Sequence, residues 1–302
     1  MLLEAVLTGA VAGGTSILFP TLGETICERS GVVNLGTEGS MLAGALTAYI
    51  VGIETGSPWV GVAAGALAGA ALASVLAFIV LVRGANQIAT GLVVTFLGIG
   101  LTSLFGQDYV GQGVQALDSV AIPGLSEIPF VGPVLFDHDL LTYLSLLSAV
   151  AIWIAMFRSR TGLWLRAAGE RPEVLRTFGT SPRAVRSVAV LAGGALAGIG
   201  GAQLATAYTR NWSENMTVGR GFVAVALVIF AAWNPLRAIA GAYLFSGAIA
   251  LQLELQARGT DLSPYLLQAL PYLIVVVVLA ALSRRRKHAM PEALTRVFEG
   301  AT

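Results

Sequence analysis

Apolar runs of membrane length follow one another along almost the whole of this 302-residue chain, and they restrict the fold more than any other feature. About twenty consecutive apolar residues are what a helix needs to cross the hydrocarbon of a bilayer. The runs lie at residues 3–22, 35–53, 59–82, 87–106, 140–157, 188–208, 222–233, 238–255 and 265–282. The seventh is too short to cross unaided and reads as a broken or re-entrant element. A soluble bundle is excluded by composition, because only 12% of the residues are charged, against roughly 25% in soluble domains. The sequence therefore predicts one all-α domain over residues 1–302, a polytopic membrane bundle of about nine spans, between eight and ten.

Net charge is +1, but the distribution of charge is more informative than the total. Seven of the eighteen Lys and Arg residues fall between residues 158 and 186: Arg158, Arg160, Arg166, Arg171, Arg176, Arg183 and Arg186. Basic residues concentrate in cytoplasmic loops. Placing that segment inside also places Arg29, Arg83, Arg237, Arg284, Arg285, Arg286, Lys287 and Arg296 inside, and leaves Arg210, Arg220 and Arg258 outside or at the outer edge. The loop at 107–139 has five acidic residues and no Lys or Arg, as an external loop should. The expected protein is a multi-pass plasma-membrane protein with its amino terminus outside and a cytoplasmic tail at 284–302. No basic stretch precedes the first run, so a cleavable signal peptide is not expected.

The middle of the basic segment also reads as a short helix. Pro172 suits a first turn and Gly179 suits a stop. Between them Val174, Leu175 and Phe178 share an apolar face about one turn long, flanked by Glu170, Arg171 and Arg176. Such a face is either solvated or offered to a cytoplasmic partner.

Two further stretches interrupt the apolar pattern. Residues 20–40 carry Glu24, Glu28, Arg29, Asn34 and Glu38 among Pro20, Gly23, Gly31, Gly36 and Gly39, so a broken or bent helix is expected there, with Arg29 as the partner of Glu24 or Glu28. Carboxylates at membrane depth are paired or functional, although a plain cytoplasmic turn would also accommodate them. Residues 210–221 place Asn215, Gly219 and Arg220 in either a simple outer loop or a re-entrant turn. Glycine pairs four apart (Gly9 and Gly13; Gly61, Gly65 and Gly69; Gly194 and Gly198) predict close helix packing.

Catalytic chemistry has no foothold. Phosphate-binding loop, zinc-protease, nucleophile-elbow and dinucleotide signatures are all missing. Cys27 is the sole cysteine, and His138 and His288 fall in separate polar segments. No enzyme activity, resident cofactor or nucleic-acid partner is expected.

The residues resemble a known family. Gly23-Glu24, the run Glu28-Arg29-Ser30-Gly31-Val32-Val33-Asn34-Leu35-Gly36, then Glu38-Gly39 and Met41-Leu42-Ala43-Gly44-Ala45 look like the signature of permease subunits of ABC importers. They are similar to the ribose and branched-chain amino-acid branch, and within it to nucleoside-type permeases. Leu165-Arg166-Ala167-Ala168-Gly169-Glu170-Arg171-Pro172-Glu173 resembles the family's cytoplasmic segment, with Arg171 where asparagine is commoner. Asn215-Met216-Thr217, followed by Gly219-Arg220-Gly221-Phe222, resembles a nucleoside-branch motif. The resemblance implies a type II-importer-like bundle that forms the pathway for a nucleoside or a simple sugar such as ribose. It implies that Glu170, Arg171, Pro172, Val174, Leu175 and Phe178 couple to an ATPase. It also implies partners: ABC ATPase subunits that use ATP and Mg, a second homologous permease paired as a heterodimer, an extracytoplasmic binding protein or lipoprotein, and membrane lipid. The competing readings are a secondary ion-coupled transporter, an ABC permease for branched-chain amino acids, and a scaffold without transport.

Overall fold

The computed structural model describes residues 2–260, 263–283 and 290–298. The basic cluster Arg284, Arg285, Arg286 and Lys287 lies outside the described residues. The chain is almost wholly helical. Its elements are α1 (Leu2–Arg29), α2 (Thr37–Thr55), α3 (Pro58–Ala77, continued by a wider π turn at Phe78–Val82) and α4 (Gln87–Gly106). The loop between α4 and α6 holds β1 (Ser119–Ala121), α5 (Val131–Leu135) and β2 (Asp137–Asp139). Then come α6 (Leu140–Arg158), α7 (Arg160–Glu170), α8 (Pro172–Thr177) and α9 (Pro182–Gln203, with a π turn at Leu204–Tyr208). The chain continues through α10 (Arg220–Ala231), α11 (Pro235–Ala257), α12 (Pro264–Ser283) and α13 (Glu292–Phe298). β1 and β2 form an antiparallel pair with Ser119 opposite Asp139 and Ala121 opposite Asp137.

Six described helices are long and apolar enough to span a bilayer on their own: α1, α3, α4, α6, α9 and α11, with α3, α4 and α9 extended by their terminal turns. The 19-residue α2 stands outside that set, and α10 has only 12 residues.

The centre is built from α1, α2, α3 and α9, and glycine makes it possible. Gly23 of α1 meets Gly193 of α9 so closely that an added Cβ would lie 2.6 Å from the Gly193 carbonyl oxygen. Gly44 and Gly65 approach Gly198, and Gly69 approaches Gly194, also backbone to backbone. Without a hydrophobic force between helices in lipid, this close packing is what holds such a bundle together. The glycine pairs therefore sit where their spacing predicts.

The expected break at Pro20 and Gly23 does not occur. α1 continues for 28 residues through both. Pro20 nests against Gly200, whose added Cβ would lie 2.6 Å from Pro20 Cδ, and Thr21 returns a hydroxyl hydrogen bond to the Ile17 carbonyl at 2.7 Å. A neighbouring helix and local hydroxyls can support a proline inside a membrane helix. The chain turns instead at Gly31, whose φ of +90° is left-handed and suits glycine.

Candidate functional site

The Glu24–Glu38 stretch folds back on itself. The Asn34 N–H donates to Glu24 Oε1 at 2.8 Å and the Thr37 hydroxyl to Oε2 at 3.3 Å. Asn34 Oδ1 accepts the Gly36 N–H at 2.9 Å, which tightens the turn into α2. That turn does not sit at the bundle surface. Thr95 of α4 donates its hydroxyl to the Leu35 carbonyl at 2.8 Å, and an added Cβ on Gly39 would lie 2.9 Å from Thr95 Cα. Thr95 is near the middle of α4, so the start of α2 lies at mid-bundle depth.

Arg29 pairs with neither carboxylate. Its Nε donates to the Trp233 carbonyl at 3.3 Å, and its guanidinium lies 5.9 Å from the centre of the Phe157 ring. Glu28 instead accepts the Trp233 indole N–H at 2.6 Å. Glu28 and Arg29 are consecutive on a helix, so their side chains point in different directions and cannot face each other. Trp233 bridges them from the α10–α11 junction.

Glu38 is the hub. It is buried, at 2% exposure, and accepts three hydrogen bonds from the segment around 217–221. These come from the Thr217 hydroxyl at 2.5 Å, the Gly219 N–H at 2.9 Å and the Gly221 N–H at 2.6 Å. A carboxylate set against exposed N–H groups at the start of a helix satisfies both the orphan donors and the positive end of the helix dipole. Here the cap comes from another helix, 183 residues away in sequence. Gly221 must lack a side chain, since an added Cβ would lie 2.5 Å from Glu38 Cα.

This contact corrects the placement of Arg220 at an outer edge. Arg220 Nη1 donates to Ser16 Oγ at 2.8 Å, and Ser16 is in the middle of α1. Its guanidinium also lies 5.6 Å from the centre of the Tyr208 ring. The chain from α9 to α10 begins beside the C-terminal end of α4, where the Trp212 indole donates to the Gly106 carbonyl at 3.0 Å, and then runs to mid-depth. α10 is thus a half-length helix that starts inside the bundle and ends just before Trp233, which lies beside Glu28 and Arg29. Irregular backbone at this depth is tolerated only where protein or a watery cavity surrounds it. Asn215 is exposed on that descending segment, at φ 54°.

The short helix expected from Pro172 in the middle of the basic segment is α8, and α7 precedes it. α8 begins at Pro172, and Gly179 follows it at φ +71°. Its apolar residues split. Leu175 is 2% exposed and faces into this chain, whereas Phe178 is 79% and Val174 41% exposed. Glu170, Arg171 and Pro172 line a polar cleft of about 510 Å³ together with Arg186 and Glu292. Arg186 ties this region to the turn after α1 by donating to the Ser30 carbonyl at 3.0 Å and the Ala168 carbonyl at 2.8 Å. Gly169 rests directly on the Arg29 carbonyl.

Several participants carry no sequence signal of their own, among them Ser16, Tyr208 and Trp233. A second polar group also went unread. Asp139 caps α6 through the Thr142 N–H at 3.1 Å and hydroxyl at 2.9 Å, and it accepts Gln203 Nε2 at 3.2 Å. That contact links the end of the 107–139 loop to α9. The nearby Gln203 Oε1 and Tyr243 hydroxyl are buried without a hydrogen-bond partner among the described residues, as are Asn34 Nδ2 and Ser40 Oγ in the first motif.

A glycine-packed helical bundle with an interrupted helix and buried polar contacts at mid-depth is the build of a membrane permease. The chain belongs to the family described as branched-chain amino acid transport system / permease component, whose model matches residues 6–279. It is 38% identical, over 97% of this chain and 96% of the relative, to TsgC13 of Haloferax volcanii, an ABC transporter permease protein with glucose as its proposed substrate. It is 31% identical to the nucleoside ABC transporter permease protein NupC of Lactococcus lactis, over 92% of each chain. It is 28% identical to the guanosine ABC transporter permease protein NupQ of Bacillus subtilis, again over 92% of each. No solved structure matches the chain.

Proposed function

We propose that this chain is the membrane subunit of an ATP-driven importer and forms the pathway for a nucleoside or a simple sugar. Similarity over nearly the full length to permeases named for nucleosides, guanosine and glucose supports that solute class. The observation that carries the mechanism is the connected set of contacts from α8 to Glu38. The exposed Phe178 edge of α8 engages the ATPase. Movement there passes through α7 to the turn after α1 by way of Gly169 and Arg186. From Arg29 and Glu28 it passes to Trp233 at the foot of α10, whose upper end is held by Glu38. A half-helix held at both ends by polar contacts is suited to tilting as a rigid piece and opening the pathway beside it.

In this reading the motor is a separate ATPase that uses ATP and Mg, a second homologous permease completes the pathway as a heterodimer, and an external binding protein or lipoprotein delivers solute. Proteoliposomes containing the assembled complex and loaded with ATP should take up labelled adenosine or glucose, and unlabelled leucine should not compete. Competition by leucine alone would assign the solute to branched-chain amino acids.

The orientation follows from the charge distribution: amino terminus outside, α7 and α8 inside. Asp118 is exposed on the 107–139 loop, and Cys27 is buried. In a Cys27→Ser background, Asp118→Cys should react with an impermeant thiol reagent added to intact cells. Reaction only in inverted vesicles would reverse the map.

A further inference from the structure

We propose that the inner-face groove between α6, α7 and α9 holds one anionic glycerophospholipid, its acyl chain in the groove and its headgroup at Arg176 and Arg183. The groove has a volume of about 450 Å³, within the ~300–1,000 Å³ range of small-molecule sites. Ile26 forms part of its lining, with Met156, Trp164, Val188 and Ala192 on the helices around it, and no charged residue lines it. α7 has the character of an interfacial helix, because Leu163 and Trp164 are exposed and Arg160 stands at its start. Tryptophan at that position suits the headgroup level.

What commits the occupant is the end of the groove. Thr180 lines it and also lines a second cavity, of about 530 Å³, bounded by Arg176, Arg183 and residues 179–182. No acidic residue lines that second cavity, and Glu173, the acid of α8, lines the separate cleft near Glu292. Both arginines are exposed, and neither guanidinium donates a hydrogen bond among the described residues. An apolar channel continuous with a cationic mouth matches a lipid with an acidic headgroup. The channel alone would not retain one, since a lipid tail gains nothing by leaving equally apolar neighbours. Retention must come from the arginines, and basic pockets on the cytoplasmic side of membrane proteins bind anionic headgroups in this way. The proposal rests on the inside placement of α7 and α8, but binding can be measured on purified protein without transport or orientation.

The test uses the full chain, delipidated in detergent, with native mass spectrometry against phosphatidylglycerol and phosphatidylcholine of the same acyl chains. One phosphatidylglycerol should bind per chain in preference to phosphatidylcholine. The double variant Arg176→Gln/Arg183→Gln should weaken it by about thirtyfold. Ala184→Phe, which fills the groove from an exposed position, should abolish retention while circular dichroism and gel-filtration profiles stay parental. Equal binding of the two lipids, or unchanged binding in both variants, would reduce the groove to ordinary lipid contact and overturn the proposal. Displacement by inorganic phosphate while the Ala184→Phe protein still binds would make it a simple anion site, which also overturns it. Cysteine crosslinking between two chains across Ala184 would show an interface between copies instead.

Discussion

Replacing Glu38 by alanine is expected to do more damage than any other single substitution on the polar axis of this protein. The side chain accepts hydrogen bonds from Thr217, Gly219 and Gly221, and all three donors would lose their acceptor, two of them fully buried. Each unsatisfied buried donor costs about 1–3 kcal/mol. Partial rearrangement would recover some of that, so a loss of about 3–5 kcal/mol is expected. Glu38→Ala should therefore melt at a clearly lower temperature in detergent and lose transport. Glu38→Gln keeps one acceptor oxygen and should fall between alanine and the parent. Parental melting of the alanine variant would show that the start of α10 is not held by this carboxylate.

The second large effect is expected at α8, where two neighbouring apolar residues should behave in opposite ways. Phe178→Ala removes a ring that is 79% exposed and so should leave folding and membrane abundance intact. If the ring seats in the ATPase, truncation at such an anchor removes about 2 kcal/mol or more of binding, roughly a thirtyfold weaker complex. ATPase subunits should then be depleted from detergent pull-downs, and transport should fall with them. Leu175→Ala strikes a buried side chain, and large-to-small changes of this kind cost about 2–5 kcal/mol. Its signature should be reduced folded protein. Equal ATPase recovery with Phe178→Ala and parent would move the docking site away from α8, with α13 as the next candidate.

These two positions also mark how far the sequence could be read. The helical runs were legible because a bilayer-length apolar stretch has few other fates. The glycine contacts were legible because four-residue spacing puts small residues on one helix face. The cap from Glu38 to Gly221 was not, because nothing in the spacing of two motifs 183 residues apart fixes their relative depth. For the same reason Arg220 was assigned an outer position from hydropathy, which ranks a charged residue by its composition and not by its partner Ser16. Arg29 was matched to Glu24 or Glu28 by proximity along the chain. The structure turns it to the Trp233 carbonyl, and an aromatic residue in a short polar junction offers little warning of that. Val174, Leu175 and Phe178 were grouped on one apolar face, but the structure buries Leu175 and exposes Phe178, a split that helical spacing alone does not reveal.

The claim that this chain works as an ATP-driven permease is tested most directly by uptake in proteoliposomes holding the purified complex, with the energy source varied. Uptake of labelled solute should require ATP on the side facing α7 and α8, persist when proton and sodium gradients are collapsed, and be absent when the chain is reconstituted without its ATPase. Solute accumulation by the chain alone, driven by an imposed ion gradient and indifferent to ATP, would contradict the account and make it a secondary transporter.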